Sequence, residues 1–233
     1  MIKEAIILAG GLGTRLRSVV SDAPKCMAMV AEKPFLHYVI TYLQKQGVSK
    51  FIFSLGYMSE VIEDYLLKEF PFLNYQLSVE NKPLGTGGAI KLACTKASEK
   101  NVLIVNGDTL FDVDIKKLED IHRFMSAECT LALKPMEKFD RYGAVEINSN
   151  SIITSFKEKK YYKEGLINGG CYILNVSQFC TKTFPKIFSF EKDYLEKYVT
   201  QHKIYGQIHN AYFIDIGIPE DYEKAQTELI PYK

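Results

Sequence analysis

Short apolar runs alternate with longer segments of helical period through the first half of the chain. The runs AIILA (residues 5–9) and FIFSL (51–55) predict strands, because both are short and rich in Ile, Leu or Phe. Between them, apolar residues recur on one face of a predicted helix that Pro34 begins and Gly47 ends. Strands carried by crossover helices form parallel sheets. The pattern therefore predicts a largely parallel sheet.

The same alternation continues to about residue 106. Ser59 is placed to cap a second helix, whose apolar face carries Ile62 and Leu66. The runs NYQLSVE (74–80) and VLIVN (102–106) predict two further strands, which a helix near residues 88–97 separates. This half is typical of a doubly wound nucleotide-binding fold.

Beyond about Leu118 the chain changes to shorter strands. These are CTLAL, YGAVEI, IITSF and CYILN, followed by a helical stretch near residues 190–200 and a strand, turn and helix over 211–228. No repeat, low-complexity tract or linker interrupts the chain, which predicts one domain of α/β class. We expect residues 1–117 to form its nucleotide-binding half and 118–233 a smaller substrate-facing half.

Composition and charge narrow the classes of function. The 233 residues are 47% hydrophobic and 24% charged, with a formal net charge of +1, so no global field favours nucleic acid or an anionic membrane. The five cysteines form no C-x-x-C pair and indicate reduced residues rather than a disulfide framework or a zinc site. Met1 leads straight into a strand, so we expect a cytoplasmic protein.

A glycine turn, GGLGTRL, follows the first predicted strand. It lacks the Walker pattern, and Leu16 stands where the dinucleotide fingerprint requires its third glycine. What remains is a turn that carries Arg15, with Lys25 fixed just after Pro24. A guanidinium fork and an ammonium group suit a polyphosphate, whereas the alternative is a tight turn with solvated basic residues.

Six segments in order resemble the sugar-1-phosphate nucleotidyltransferases. GGLGTRLRSVVSDAPK resembles the family's glycine-rich signature, and PLGTGGAI its second nucleotide-contacting segment. VNGDTLF and IDIGIPEDY are similar to its two metal-carrying aspartate segments, while FKEKK and INGGCYIL are similar to its sugar-phosphate and sugar-contacting elements. The resemblance implies a Rossmann-like, GT-A-like mixed sheet flanked by helices, with a smaller sugar-binding lobe.

The chemistry of such a reaction requires cations. One phosphate oxygen must attack another phosphorus while both groups are anionic, so positioning and charge neutralisation supply most of the rate. Asp108 and Asp215 each end an apolar run and are candidates to converge on one Mg²⁺ at the edge of the sheet. The alternative for each aspartate is a turn former or a helix cap.

The resemblance also assigns residues to roles. Arg15 would contact the β- and γ-phosphates, Lys25 the reacting phosphates, and Lys159 the phosphate of the sugar, although Lys159 also belongs to an ordinary solvated charge run. The implied nucleotide-binding residues are Leu8, Gly10, Gly11, Gly13, Thr14, Arg15, Lys25, Glu80, Gly85 and Asp108. The implied sugar-phosphate residues are Gly143, Glu158, Lys159, Asn168 and Gly169.

The insertion between GTRLR and PK resembles the heptose branch of the family. It implies transfer of GMP from GTP to D-glycero-D-manno-heptose 1-phosphate, giving GDP-heptose and pyrophosphate for capsule, S-layer or lipopolysaccharide synthesis. Cys26 after Lys25 and Lys160 after Lys159 depart from the common pattern. Members of this family often form oligomers, so the resemblance also implies a homo-oligomer as one option.

Three alternatives stay open. The chain could use another nucleotide and another sugar 1-phosphate, such as mannose 1-phosphate with GTP or a hexose or amino-sugar 1-phosphate with UTP, CTP or dTTP. It could be a catalytically silent sensor of nucleotides or sugar phosphates, although both aspartates and both cations are present. A dehydrogenase on a Rossmann-like sheet would bind NAD, and the missing third glycine opposes it.

Overall fold

The computed structural model describes residues 1–11 and 23–230. Its strands are β1 (Glu4–Leu8), β2 (Met29–Val30), β3 (Lys33–Pro34), β4 (Lys50–Leu55), β5 (Tyr75–Val79), β6 (Asn101–Asn106), β7 (Thr109–Phe111), β8 (Cys129–Phe139), β9 (Ala144–Ile147), β10 (Ile153–Phe156), β11 (Tyr162–Asn175), β12 (Ile204–Ile208) and β13 (Phe213–Asp215). Its α-helices are α1 (Phe35–Lys45), α2 (Ser59–Glu69), α3 (Gly85–Cys94), α4 (Ile115–Phe124), α5 (Val176–Cys180) and α6 (Pro219–Glu228). Two 3₁₀-helices, Lys25–Met27 and Val199–Gln201, and a π-helix, Phe190–Glu196, complete the described elements.

The main sheet is mixed. Its central order is β10-β9-β11-β6-β1-β4-β5, with β8 paired to β11 and β12 paired to β8. The strands β6, β1, β4 and β5 run parallel, whereas β11 pairs antiparallel with β6, β8 and β9. The predicted α/β class, a mixed sheet flanked by helices, is confirmed. The first half contributes four adjacent parallel strands, and the second half adds one parallel pair, β12 with β8.

Both faces of the central strands are buried. Along β1, Ile6 packs with Ile52 and Ile104 on one face, while Ile7 packs with Phe53 on the other. Such strands appear in a sequence as continuous apolar runs rather than as alternating ones. This is why AIILA and FIFSL predicted strands correctly.

Several element boundaries differ from the prediction. The helix α1 follows Pro34 as expected, but Ser59 is the first residue of α2 rather than its cap, since Met58 occupies that position at φ +53°. No side chain in the described part of the chain caps α2. The helix near 88–97 begins earlier, at Gly85, and ends at Cys94.

The prediction also missed regular elements at the junction of the two halves and later. Asp114 caps the helix α4 by accepting a hydrogen bond from the Lys117 backbone N–H. The sequence pattern predicts no helix here, only the change to shorter strands beyond about Leu118. The stretch near 190–200 is a π-helix followed by a 3₁₀-helix. The strand β12 was missed as well.

The cysteines agree with the reduced state that the sequence indicates. All five cysteines lie within the described residues and are free, and four of them are buried. The longest α-helices have 11 residues. Within residues 1–11 and 23–230, no helix has the length and apolar character that crossing a membrane requires.

Candidate active site

Two aspartates meet at the edge of the sheet. Asp108 lies in the turn between β6 and β7, and Asp215 is the last residue of β13. The strands β7 and β13 pair antiparallel, which sets Asp215 opposite Thr109, and the Ile216 backbone N–H donates to the carbonyl of Asp108 at 3.1 Å. The structure therefore brings together two aspartates that are far apart in sequence. A bound metal at this place stays a prediction.

Lys25 joins these two carboxylates. It begins the 3₁₀-helix that follows Pro24, and its Nζ lies 2.6 Å from Asp108 Oδ2 and 3.4 Å from Asp215 Oδ1. Its side chain is only 15% exposed, so the two ion pairs are partly shielded from solvent. Gly217 permits this approach, because a Cβ there would lie 3.0 Å from the Lys25 Nζ. Two carboxylates thus converge on one cationic centre.

Asp215 is held on both of its oxygens. The Gly217 backbone N–H donates to Oδ1 at 2.8 Å, and the Tyr142 hydroxyl donates to Oδ2 at 3.1 Å. Burial, and next the charge of Asp215, raise the pKa of Tyr142, so this phenol stays a donor. Sequence reasoning missed Tyr142, although it directly precedes the predicted site residue Gly143.

Asp108 and Asp215 suit a hard divalent cation. Mg²⁺ is bound in proteins by one or two carboxylates together with substrate phosphates and water. Among the described residues there is no cluster of three or more His, Cys, Asp or Glu side chains that could hold a metal unaided. Burial, and next the Asp108 charge, raise the pKa of Cys26 to about 12, which leaves this thiol protonated and unsuited as a ligand or nucleophile.

A cavity of about 640 Å³ opens beside Asp108. Six residues predicted to bind nucleotide line it, namely Leu8, Gly10, Gly11, Glu80, Gly85 and Asp108. Sequence reasoning missed Tyr57 and Asn106, which also line it. Asn106 is the last residue of β6, and Tyr57 lies two residues after β4. The predicted residues Gly13, Thr14 and Arg15 lie outside the described residues.

Glu80 is fixed at the rim of this cavity. Its Oε2 accepts a hydrogen bond from the Leu84 backbone N–H at 3.0 Å, and its Oε1 lies over the backbone of Gly56. Gly85, which begins α3, adopts φ +74°, a conformation that a residue with a Cβ rarely takes. The segment from Glu80 to Gly85 therefore forms a turn that presents backbone and carboxylate groups to one cavity.

A second cavity of about 140 Å³ adjoins the first. Leu8, Thr86 and Asn106 line both cavities, so the two spaces meet at the end of β6. The π-helix adds Phe190 and Glu191 to the second cavity. It combines apolar walls with a carboxylate and an amide, a combination that suits a polyhydroxylated ligand.

Asn168 contacts protein groups with its whole amide. Its Nδ2 donates to the Tyr172 hydroxyl at 2.7 Å and to Glu191 Oε1 at 3.0 Å, and its Oδ1 accepts from the Gly170 backbone at 3.1 Å. Asn168 thus positions Glu191, which sequence reasoning did not assign to the site. The assignment of Asn168 to the sugar site stays a prediction, and so does its direct contact with a sugar.

The remaining predicted sugar residues, Glu158, Lys159, Gly143 and Gly169, do not line this second cavity. Glu158 and Lys159 lie exposed in the loop between β10 and β11. Burial, followed by the charges of Glu158 and Glu191, raises the pKa of Glu196, so Glu158 lies within electrostatic range of the π-helix.

Two predicted glycines are packed against the protein itself. Gly143 packs against the backbone of Lys157, and Gly169 is buried beside the ring of Phe111. Close packing therefore explains why both positions are glycine. Their contact with sugar stays a prediction.

Comparison with known proteins agrees with this geometry. The Nucleotidyl transferase family matches residues 4–230. The chain is 55% identical over 229 residues to D-glycero-alpha-D-manno-heptose 1-phosphate guanylyltransferase of Aneurinibacillus thermoaerophilus, covering 98% of this chain and 99% of that protein. It is 44% identical over 219 residues to the enzyme of the same name from Campylobacter jejuni, covering 94% and 96%.

A solved structure agrees over the same length. HddC from Yersinia pseudotuberculosis, complexed with GMP-PN, superposes with a TM-score of 0.87 at 38% identity and covers 98% of this chain and 100% of that one. The family match, the alignment with the relatives and the structural superposition each cover nearly the whole chain. The chain belongs to the Nucleotidyl transferase family.

Proposed function

We propose that this protein transfers GMP from GTP to D-glycero-D-manno-heptose 1-phosphate, releasing pyrophosphate and forming GDP-heptose. The observation that carries the proposal is a pair of adjoining cavities, the larger of which is lined by Asp108, whose carboxylate shares the Lys25 ammonium group with Asp215. The names of the two relatives above support guanine and heptose as the substrate groups. A cytoplasmic location is part of the proposal, because GTP is supplied there.

The larger cavity would take GTP. Glu80 supports guanine, because its carboxylate only accepts hydrogen bonds, whereas the guanine N1–H and amino group donate them. One oxygen of Glu80 already accepts from Leu84, but a carboxylate has about four lone-pair sites and keeps capacity for a base. Tyr57, 44% exposed at the rim of the same cavity, offers a ring to the base.

The reaction itself needs no protein nucleophile. An oxygen of the sugar phosphate attacks the α-phosphorus of GTP, the bond from that phosphorus to the α,β-bridging oxygen breaks, and pyrophosphate leaves. Asp108 and Asp215 would hold Mg²⁺, which neutralises the phosphate charge. Lys25 would exchange its contact with the two aspartates for one with the reacting phosphates, and Arg15 would contact the departing pyrophosphate. Lys159 would hold the phosphate of the sugar.

The smaller cavity would take the sugar. Glu191 offers one oxygen to Asn168 and can accept from sugar hydroxyls with the other. Asn106 lines both cavities and would lie where the two substrates meet. In this arrangement Glu158 approaches the sugar from the facing loop, while Gly143, Asn168 and Gly169 shape the pocket.

Pyrophosphate release measures the proposed reaction. We expect release in the presence of Mg²⁺ when GTP is offered with D-glycero-D-manno-heptose 1-phosphate, and little with UTP, CTP, ATP or dTTP. Replacing the heptose by mannose, glucose or N-acetylhexosamine 1-phosphate should reduce the rate. Release with another pair would keep the chemistry and discard the substrates. Nucleotide binding with no release under any pair would favour a sensor.

The base assignment has its own test. Glu80→Gln exchanges one acceptor for a donor, and we expect kcat/KM for GTP to fall about 10-fold or more, since a mispaired buried hydrogen-bonding group costs roughly 1–3 kcal/mol. The residual rate with ATP should stay unchanged. Glu63→Gln, an exposed residue of α2, is the matched control. An unchanged ratio of GTP to ATP rates in the Glu80 variant would remove Glu80 from base selection.

A further inference from the structure

Arg141 lies between two carboxylates, of which the proposed reaction uses one. It lies in the loop between β8 and β9, and its Nη1 hydrogen-bonds Asp221 in the first turn of α6. Its Nη2 lies 3.8 Å from Asp215 Oδ2, outside hydrogen-bond distance. Arg141 therefore favours Asp221 over Asp215, although both are within reach of the same guanidinium.

The two oxygens of Asp215 face different neighbours. Oδ1 is oriented toward Lys25 and the Asp108 carboxylate, the side on which a divalent cation would be held. Oδ2 is oriented toward Tyr142 and Arg141. The Tyr142 hydroxyl, a neutral donor, makes the hydrogen bond to Oδ2, while Arg141 forms only a longer ion pair with this oxygen, at 3.8 Å.

A guanidinium paired directly with Asp215 would compete with a metal for that charge. Arginine forms two parallel hydrogen bonds to a carboxylate, which is the strongest pairing this carboxylate could make within the protein. Asp221 opposes this by holding the guanidinium on α6. Burial disfavours the charge on Arg141, but the hydrogen bond to Asp221 and the nearby carboxylates outweigh it and raise the pKa of the guanidinium.

We propose that Asp221 is a positioning residue that holds Arg141 away from Asp215, and so preserves the affinity of Asp215 for a divalent cation. This inference rests on the proposed function, because it takes Asp215 as a metal ligand. It makes a prediction of unusual sign. Loss of a carboxylate that touches no substrate should weaken metal binding, and loss of its arginine partner as well should restore it.

The test is Mn²⁺ binding to the full chain with a saturating non-hydrolysable GTP analogue, measured as free Mn²⁺ by electron paramagnetic resonance. We expect Asp221→Asn to raise the dissociation constant of Mn²⁺ roughly two- to fivefold, the upper range for a partly exposed ion pair that forms anew. The double variant Arg141→Gln with Asp221→Asn should bind Mn²⁺ as the wild type does. Glu223→Gln removes one exposed carboxylate from the same helix and should change nothing.

A structural role for the pair predicts a different pattern. If Arg141 and Asp221 only anchor α6, the double variant binds Mn²⁺ no better than Asp221→Asn, and that result overturns the inference. Asp221→Asn with wild-type affinity overturns it as well. Should Asp221→Asn fail to fold in a thermal melt, Arg141→Gln alone decides. The inference expects affinity equal to or tighter than the wild type, and weaker binding contradicts it.

The variant Asp215→Asn distinguishes a failure of the inference about Asp221 from a failure of the proposed function. If it loses Mn²⁺ affinity while Asp221→Asn does not, the proposed function stands and the inference fails. If Asp215→Asn binds Mn²⁺ as tightly as the wild type, the metal assignment of Asp215 fails, and the inference fails with it.

Discussion

The two halves of the molecule place their candidate site residues in different ways. In the first half, each of four parallel strands is followed within two residues by a residue that lines the larger cavity: β1 by Gly10, β4 by Tyr57, β5 by Glu80 and β6 by Asp108. In the second half, Asn168 lies inside the long antiparallel strand β11, Glu158 lies in a loop, and Glu191 lies in a π-helix.

The difference follows from strand direction. Parallel strands all end at the same edge of a sheet, so a polar residue just after an apolar run is placed without knowledge of the register. An antiparallel strand gives no such guarantee. Between Asn168 and Tyr172 the pairing of β11 with β8 shifts, and Gly170 adopts φ +70° within this bulge. The bulge, rather than a strand end, positions Asn168, which in turn holds Glu191.

Asp108 and Asp215 provide the most severe test of this comparison, because each half supplies one of them. We expect Asp108→Asn and Asp215→Asn each to lower kcat about 100-fold or more, as loss of a transition-state charge does. Circular dichroism should show both variants folded. If only Asp108→Asn loses activity, the second half contributes binding and no charge to the reaction.

Lys25 gives the next largest effect. Lys25→Met should lower kcat roughly 10- to 100-fold, since it removes a cation that would contact the reacting phosphates. It also leaves the carboxylates of Asp108 and Asp215 facing each other without their shared ammonium group. Added Mg²⁺ should therefore raise the melting temperature of the variant more than that of the wild type. Equal shifts in thermal melts would show that Lys25 does not bridge the aspartates in solution.

Glu191 tests the second half alone. Glu191→Gln should lower kcat/KM for the sugar 1-phosphate about 5- to 20-fold, because it weakens roughly one charged hydrogen bond. The KM for GTP should stay unchanged, since Glu191 lines only the smaller cavity. Glu164→Gln, an exposed residue of β11, is the control. Equal changes for both substrates would merge the two cavities into one functional unit.

Gly85 gives the smallest expected change and tests local geometry in the first half. Gly85→Ala should lower the free energy of unfolding by about 1–2 kcal/mol, because alanine is strained at a left-handed φ. A Cβ at this position would also lie 2.5 Å from the Phe188 carbonyl oxygen. Urea denaturation measures the change. Wild-type stability would mean that the turn before α3 relaxes without cost.

The sequence predicted the site where one physical rule was sufficient. Apolar runs located β1, β4, β5 and β6, and the parallel pairing then placed Glu80 and Asp108 at the same edge. Asp215 was identified both as the end of an apolar run and by motif resemblance, although its strand β13 has only three residues.

The sequence does not predict that the candidate site includes Tyr142, Glu191 and Asp221. Tyr142 and Asp221 depend on how α6 and the β8–β9 loop meet, and Glu191 depends on a π-helix that no helical period of 3.6 residues indicates. Contacts of this kind are tertiary. Residue type and spacing give no signal for them.

We expect that, when nucleotide binds, one divalent cation is held by Asp108 of the first half and Asp215 of the second. Anomalous diffraction from a crystal grown with Mn²⁺ and a non-hydrolysable GTP analogue measures this directly. We predict one manganese peak coordinated by Asp108, Asp215 and phosphate oxygens, with the nucleotide base beside Glu80 and the Lys25 ammonium group moved from the carboxylates to the phosphates. A manganese ion bound by phosphates alone, with Lys25 still between the two aspartates, would contradict the account.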